Sequence, residues 1–297
     1  MTAAPRRARG VPALCAGIAL AIGILAAIAA MGGRGPTQLV HMKQGGPGSE
    51  LAPAGFAYVA SHDDGTYYYS IARDPLARGE AHRTIDLAGY RYGHPLYAWL
   101  AWLVSGGGRP SDVPSALLFV SLICLGIGAA AAAVLAVDLG MSPWWGLAIP
   151  LNPGILFSVT ADTTESTAVA VMLLAIIAWR RERLLAAGIL IVGACFAKEP
   201  LLLVPTALLA VEVVRFLRGR RAPALAARAT ALLAGPFLYG LWAVYLRVRF
   251  GAFSSGSGTT ILGTPFVGWI DTLRQATTFV EGGDYEIGEA AVPIVLS

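Results

Sequence analysis

The sequence predicts an all-α, polytopic transmembrane protein of about seven spans, with a large outer loop after the first. Three observations carry that expectation. Of the 297 residues, 56% are hydrophobic and only 13% are charged, whereas soluble domains carry about 25% charged residues mixed among apolar ones. The apolar residues run together in stretches that approach the roughly 20 needed to cross a bilayer. The basic residues collect at the ends of those stretches, as Arg6, Arg7 and Arg9, then Arg180, Arg181 and Arg183, then Arg215, Arg218, Arg220 and Arg221. Short basic loops of this kind mark a cytoplasmic face. The net charge of +4 therefore reads as loop asymmetry, and no nucleic-acid partner is expected.

Taken in order, the first span runs from Val11 to Met31. Ala27-Ile28-Ala29 has the small-x-small form of a signal-peptide site, but the apolar run exceeds the usual h-region of about 7–15 residues, so a retained anchor is expected. Cys15, Cys124 and Cys195 lie within apolar stretches, which suggests neither a disulfide framework nor a zinc site. The polar segment 34–94 follows, with a flexible Gly45-Gly46-Pro47-Gly48-Ser49 linker. Between Phe56 and Ala77 the alternation of aromatic, apolar and acidic residues suits a short helix, placing Asp63 over Tyr67 and Asp64 over Tyr68. Leu96 to Val104 is apolar and Trp/Tyr-rich but too short to span, so an interfacial or re-entrant helix is expected.

Further spans are expected at Val113 to Val137, Trp144 to Thr160 (interrupted by Pro150 and Asn152-Pro153), Ser166 to Trp179, Leu184 to Ala197, Leu201 to Val214 and Ala224 to Leu246. The domain boundary falls near 250. The 251–297 tail is polar, carries Glu281, Asp284, Glu286 and Glu289, and ends in Ala290–Leu296, which reads as the start of another apolar segment. With the N-terminus inside, the two strongest basic loops are cytoplasmic, in accord with the positive-inside rule. Arg247 and Arg249 fall outside, the one discord. The chain then reads as a multi-pass inner (plasma) membrane protein with its candidate site on the outer face.

Four features share that outer face: Asp63-Asp64, Tyr90–Pro95, Asp162 with Glu165, and Lys198-Glu199. Adjacent carboxylates raise each other's pKa, and ionisable groups near membrane depth are functional candidates. His62, His82 and His94 share no metal-ligand spacing, and no glycine-rich phosphate loop follows a strand.

The stretch Asp63-Asp64-Gly65-Thr66-Tyr67-Tyr68-Tyr69-Ser70-Ile71-Ala72 resembles the acidic, Tyr- and Ala-containing start of the first outer loop in the GT-C superfamily. These are multi-spanning glycosyltransferases that use lipid-phosphate-linked sugars. Gly89-Tyr90-Arg91-Tyr92-Gly93-His94-Pro95-Leu96-Tyr97 looks like the aromatic Pro-Leu-Tyr stretch that returns that loop to the membrane. Thr164-Glu165-Ser166 resembles a Thr-Glu-Ser of mannosyltransferase-like members, and Ala197-Lys198-Glu199-Pro200 a Lys-Glu turn of bacterial relatives. The resemblance covers about Val11 to Val214. It implies transfer of a hexose or pentose from a polyprenyl-phosphate donor to a glycan, lipid or protein acceptor. One of Asp63 and Asp64 would be the base. Arg91, Lys198 and His94 would face the phosphate, and Tyr67, Tyr68 and Tyr92 would line the sugar site. Glu165 or Glu199 would fix a sugar hydroxyl or a divalent metal ion; no other cofactor is implied.

Plainer readings compete. Asp63-Asp64 suits a helix N-cap, the tyrosines an interfacial belt, Asp162 and Glu165 solvated caps, Lys198-Glu199 a local ion pair, and Arg91 a snorkelling side chain. The rival function is non-enzymatic, a transporter, flippase subunit or scaffold. A transporter places ionisable groups near the midplane at broken helices, and Asn152-Pro153 is the feature that suits it.

Overall fold

A computed structural model describes residues 10–219 and 225–251. The expectations for Arg6–Arg9, for Arg220 and Arg221, and for the tail beyond Gly251 lie outside the described residues. Among the described residues the chain is α-helical without strands, apart from one isolated bridge between Lys43 and Val59. Ten α-helices follow in order: α1 Val11–Met31, α2 Gly65–Arg73, α3 Ala88–Arg91, α4 Leu96–Val104, α5 Val113–Asp138, α6 Pro153–Thr160, α7 Glu165–Arg180, α8 Leu184–Ala197, α9 Leu203–Leu217 and α10 Leu225–Phe250.

Among the described residues, four helical stretches are long and apolar enough to cross a membrane: Val11–Met31, Val113–Asp138, Glu199–Leu217 and Leu225–Phe250. With 16 and 14 residues, α7 and α8 rise only about 24 and 21 Å at 1.5 Å per residue, short of a hydrocarbon core of about 30 Å. The expected span at Trp144 to Thr160 is not one helix. A 3-10 turn at Pro143–Ala148 ends before Pro150, and α6 restarts at Pro153, with the Asn152 side chain accepting from the Ile155 N–H at 3.1 Å. Proline supplies no N–H and disfavours helix in the residue before it, so the Pro150 and Asn152-Pro153 interruptions divide the segment.

The long helices pack in succession, α1 on α5, α5 on α7, α7 on α8, α8 on α10 and α10 on α9. Small residues allow the close approach. A Cβ added at Gly23 of α1 would lie 2.8 Å from Leu125 and 2.9 Å from Leu122 of α5.

Polar contacts sort into two ends. At the arginine end, Arg181 pairs with Asp138 at 3.5 Å, and Glu212 pairs with Arg228 at 2.8 Å and Arg215 at 3.2 Å. Arg228 also pairs with Glu182, and the Cys15 thiol at the start of α1 contacts the Pro143 carbonyl. At the loop end, the last turns of α10 fasten onto the segment 34–94. Trp242 Nε1 donates to the Tyr92 carbonyl at 2.8 Å, the Tyr245 hydroxyl to Leu76 at 2.5 Å, and Arg249 Nε to Ala77 at 2.8 Å. Arg249, discordant by the charge rule, is thus held by the Ala77 carbonyl and, at 3.0 Å, the His82 ring.

The segment 34–94 is packed rather than loose. Met42, Phe56, Tyr69 and Tyr92 are buried with Tyr97 of α4 and Leu117 of α5 in one aromatic-rich core. The expected Gly-rich linker is part of this: Gly48, at φ 74°, lies so close to Ser70 that an added Cβ would sit 2.8 Å from its hydroxyl. The helix anticipated between Phe56 and Ala77 is confined to Gly65–Arg73, so Asp63 precedes it.

Candidate functional site at the loop end

The site is built on the start of α2. Gly65 is wedged between two carbonyls: a Cβ there would fall 2.7 Å from Ala161 O and 2.8 Å from Val40 O. Only a residue without a Cβ allows this approach. The contact seats the start of α2, directly after Asp64, against Ala161, far away in sequence.

The two carboxylates have separate partners, and Asp63 is not raised by its neighbour as expected. Asp63 turns to His41, 3.4 Å away. The His41 hydrogen bond outweighs burial and holds the Asp63 carboxyl below its ordinary range. Asp64 occupies the N-cap position of α2 but makes no side-chain capping bond. Its Oδ1 instead accepts from Arg91 Nη1 at 2.6 Å. Arg91 also reaches Asp86 at 3.4 Å and lies 3.8 Å from the centre of the Tyr67 ring, a cation–π contact. It is fixed by protein groups rather than snorkelling. Burial lowers the Arg91 pKa, but the Asp64 charge overcomes this and raises it.

Tyr67 donates to Asp86 Oδ2 at 2.9 Å, and burial with this bond pushes its pKa up to about 12. Tyr68 packs edge-on against Tyr97, ring centres 5.2 Å apart, and faces His94 at 6.2 Å. Asp64, Tyr67, Tyr68, Ile71, Arg91 and His94 line one narrow cleft.

A second ion pair closes in from α7 and α8. Lys198 Nζ donates to Glu165 Oε1 at 2.5 Å, and Thr163 donates to the other oxygen. Burial raises the Glu165 pKa, but the Lys198 charge and these bonds prevail and lower it. Lys198 and Glu199 are not a local pair: Glu199 Oε1 accepts from Tyr239 of α10 at 2.7 Å. Asp162 is not a solvated cap either, being fully buried. His94 feels both pairs. Burial lowers its pKa, Glu199 and Asp64 raise it, and Lys198 and Arg91 lower it, for a net decrease.

Tyr92 does not join the cleft. It is fully buried, donates to the Asp74 carbonyl at 2.7 Å and packs against Phe250. His41, Asp86 and Tyr239 were missed by sequence reasoning; Asp86 lies five residues before Arg91, in no recognisable spacing.

A separate apolar groove of about 410 Å³ is lined by Leu96, Trp99, Phe196, Leu241, Trp242 and others of α4, α8 and α10. Among the described residues, no three His, Cys, Asp or Glu side chains gather as a metal site. Glu165 would have to give up Lys198 to ligate one, so the residues present do not fit a resident ion. The arrangement offers two paired cations, Arg91 and Lys198, and the half-exposed carboxylate of Asp64, while Tyr67 and Tyr68 are themselves buried. Comparison of the chain with protein-family models, with curated proteins and with solved structures gave no match.

Proposed function

We propose that this protein is a membrane glycosyltransferase of the GT-C type, moving a sugar from a polyprenyl-phosphate donor to a glycan, lipid or protein acceptor. The observation that carries the reading is the convergence of two ion pairs, Asp64–Arg91 and Lys198–Glu165, around Tyr68 and His94. Four sequence features that share one face by topology supply these groups.

In the reaction, the acceptor hydroxyl loses its proton to Asp64 as its oxygen attacks the anomeric carbon. The bond between that carbon and the phosphate oxygen breaks, and the electron pair leaves with the phosphate. Arg91 and Lys198 stabilise the departing charge. Asp64 is chosen over Asp63 because Asp64 lines the cleft, whereas Asp63 faces His41. Tyr67 and Tyr68 receive the sugar ring, and the groove beside Trp99 and Trp242 the lipid. Glu165, held by Lys198, presents its carboxylate to a sugar hydroxyl.

The same reading counts about seven crossings of an inner membrane. On this reading α7, α8 and the broken 143–160 segment would add three crossings to the four long stretches. The arginine end is cytoplasmic and the cleft faces outward.

The test is transfer of label from radiolabelled polyprenyl-phosphate sugars in purified membranes. Wild type should transfer and Asp64→Asn should lose about 10²- to 10⁴-fold in rate, the usual contribution of a general base. Asp63→Asn should retain most activity. Full activity in Asp64→Asn sinks the assignment.

A further inference from the structure

Asp162 lies at the bottom of the same region and is the most enclosed carboxyl there. It is 0% exposed, sits at φ 49° in the left-handed region, and its Oδ2 has no hydrogen-bond partner. Its other oxygen, Oδ1, lies 3.4 Å from the Tyr97 hydroxyl. That hydroxyl has one proton to give. It stands 2.9 Å from the Leu117 carbonyl, which can only accept, and it receives a bond from Ser121 Oγ, also at 2.9 Å. With the Tyr97 proton committed to Leu117, the Asp162–Tyr97 contact is a hydrogen bond only if the carboxyl supplies the proton.

The surroundings agree. Tyr97 on α4 is the titratable side chain in contact with Asp162. Glu165, the nearest charge along the chain, is paired with Lys198, and Asp64, next to Gly65, is taken by Arg91. An ionised carboxylate in a fully buried site without a cation is costly enough to neutralise instead. Burial accordingly raises the Asp162 pKa well above the carboxylate range.

We propose that Asp162 is held as a neutral carboxylic acid whose proton bonds to the Tyr97 hydroxyl, making Asp162 a positioning residue for the cleft. Tyr97 is the edge against which Tyr68 packs, so the bond fixes the aromatic floor next to Asp64. The positioning role rests on the glycosyltransferase reading; the protonation state does not.

The sign of the pH dependence separates this state from an ordinary buried carboxylate. A carboxyl with a raised folded pKa binds its proton more tightly folded than unfolded, so it lowers stability progressively as pH rises above the unfolded value of about 3.9. Asp162→Asn, neutral and at ease in the left-handed region, removes that liability. The experiment is the melting temperature of wild type and Asp162→Asn in detergent between pH 4 and 8, with infrared spectra of both at pH 8. The variant's advantage should grow with pH, and a carboxylic-acid C=O band of wild type should vanish in the variant. A difference that does not change with pH, a variant that loses stability as pH rises, or no band overturns the neutral acid. In the transfer assay, Asp162→Asn should keep activity and Asp162→Leu should lose it, mainly as raised KM. Equal activity of the two refutes positioning while leaving protonation intact; no transfer even by wild type refutes the glycosyltransferase reading alone.

Discussion

The two ends of the molecule use ion pairs differently. At the arginine end, Glu212 and Arg228 are enclosed by their helices, with Arg228 also stacked 5.0 Å from the Trp179 ring. These pairs join helix ends that pack on one another, and Glu182, Glu212 and Arg228 form a chain of contacts. At the loop end, Asp64–Arg91 and Glu165–Lys198 bridge 27 and 33 residues of sequence and are partly open to solvent. The first arrangement is a fastener. The second leaves Asp64, Glu165 and Lys198 between a third and a half exposed next to buried tyrosines.

That contrast is sharpened first by removing the enclosed carboxylate. Glu212→Ala removes the buried carboxylate partner of Arg228 and leaves it only the exposed Glu182, and removing one member of a buried pair costs up to about 3–5 kcal/mol. Thermal or denaturant unfolding should show that loss, while transfer per folded molecule stays unchanged. A comparable loss from Lys198→Ala would break the comparison, because an accessible pair is worth about 0–1 kcal/mol.

Asp74 gives the next effect and shows that the loop end also contains a fastener. Its carboxylate accepts from the Arg78 and Gly79 N–H groups at 2.8 and 2.9 Å and from His82 at 3.0 Å. Burial raises its pKa, but these bonds prevail and lower it. Stability from Asp74 is therefore present above the unfolded value of about 3.9 and disappears as pH falls through the folded value. Asp74→Asn should destabilise at pH 7 and match wild type well below pH 4, the reverse of the course expected for Asp162→Asn. Melting curves across that range decide it.

Gly65→Ala should cost about 1–3 kcal/mol, since the new Cβ must displace the Ala161 or Val40 carbonyl. Activity should fall further than stability because the shift moves the start of α2, directly after Asp64, away from Ala161. Parallel unfolding and transfer measurements on this variant would expose a purely structural role. The smallest effect is at Arg83–Glu80, an exposed pair at 2.7 Å, where Arg83→Ala should change the melting midpoint and transfer negligibly.

Much of this was legible in the sequence where one physical signal dominates. Continuous apolar runs gave α1 and α8 their ends, and α5 to within a residue. The alternation of basic loops grouped Asp64, Arg91, Glu165 and Lys198 on one side before any contact was visible. What sequence could not give is direction. Tyr92 is one residue from Arg91, yet its ring turns into the core while the guanidinium turns to the cleft. Lys198 neighbours Glu199 but reaches Glu165, because the N-terminus of α7 packs beside the end of α8. Asp86 and His41 belong to irregular backbone, where no periodicity marks a partner. Asp162 reads as a loop carboxylate until its burial is seen.

The most direct test of the central claim measures both ends in one assay. Membranes holding equal amounts of folded wild type, Asp64→Asn and Glu212→Gln are supplied with a labelled polyprenyl-phosphate sugar. The expected result is transfer by wild type and Glu212→Gln and about 10²-fold or greater loss in Asp64→Asn. Equal transfer by both variants, or loss confined to Glu212→Gln, would contradict a catalytic cleft at the loop end.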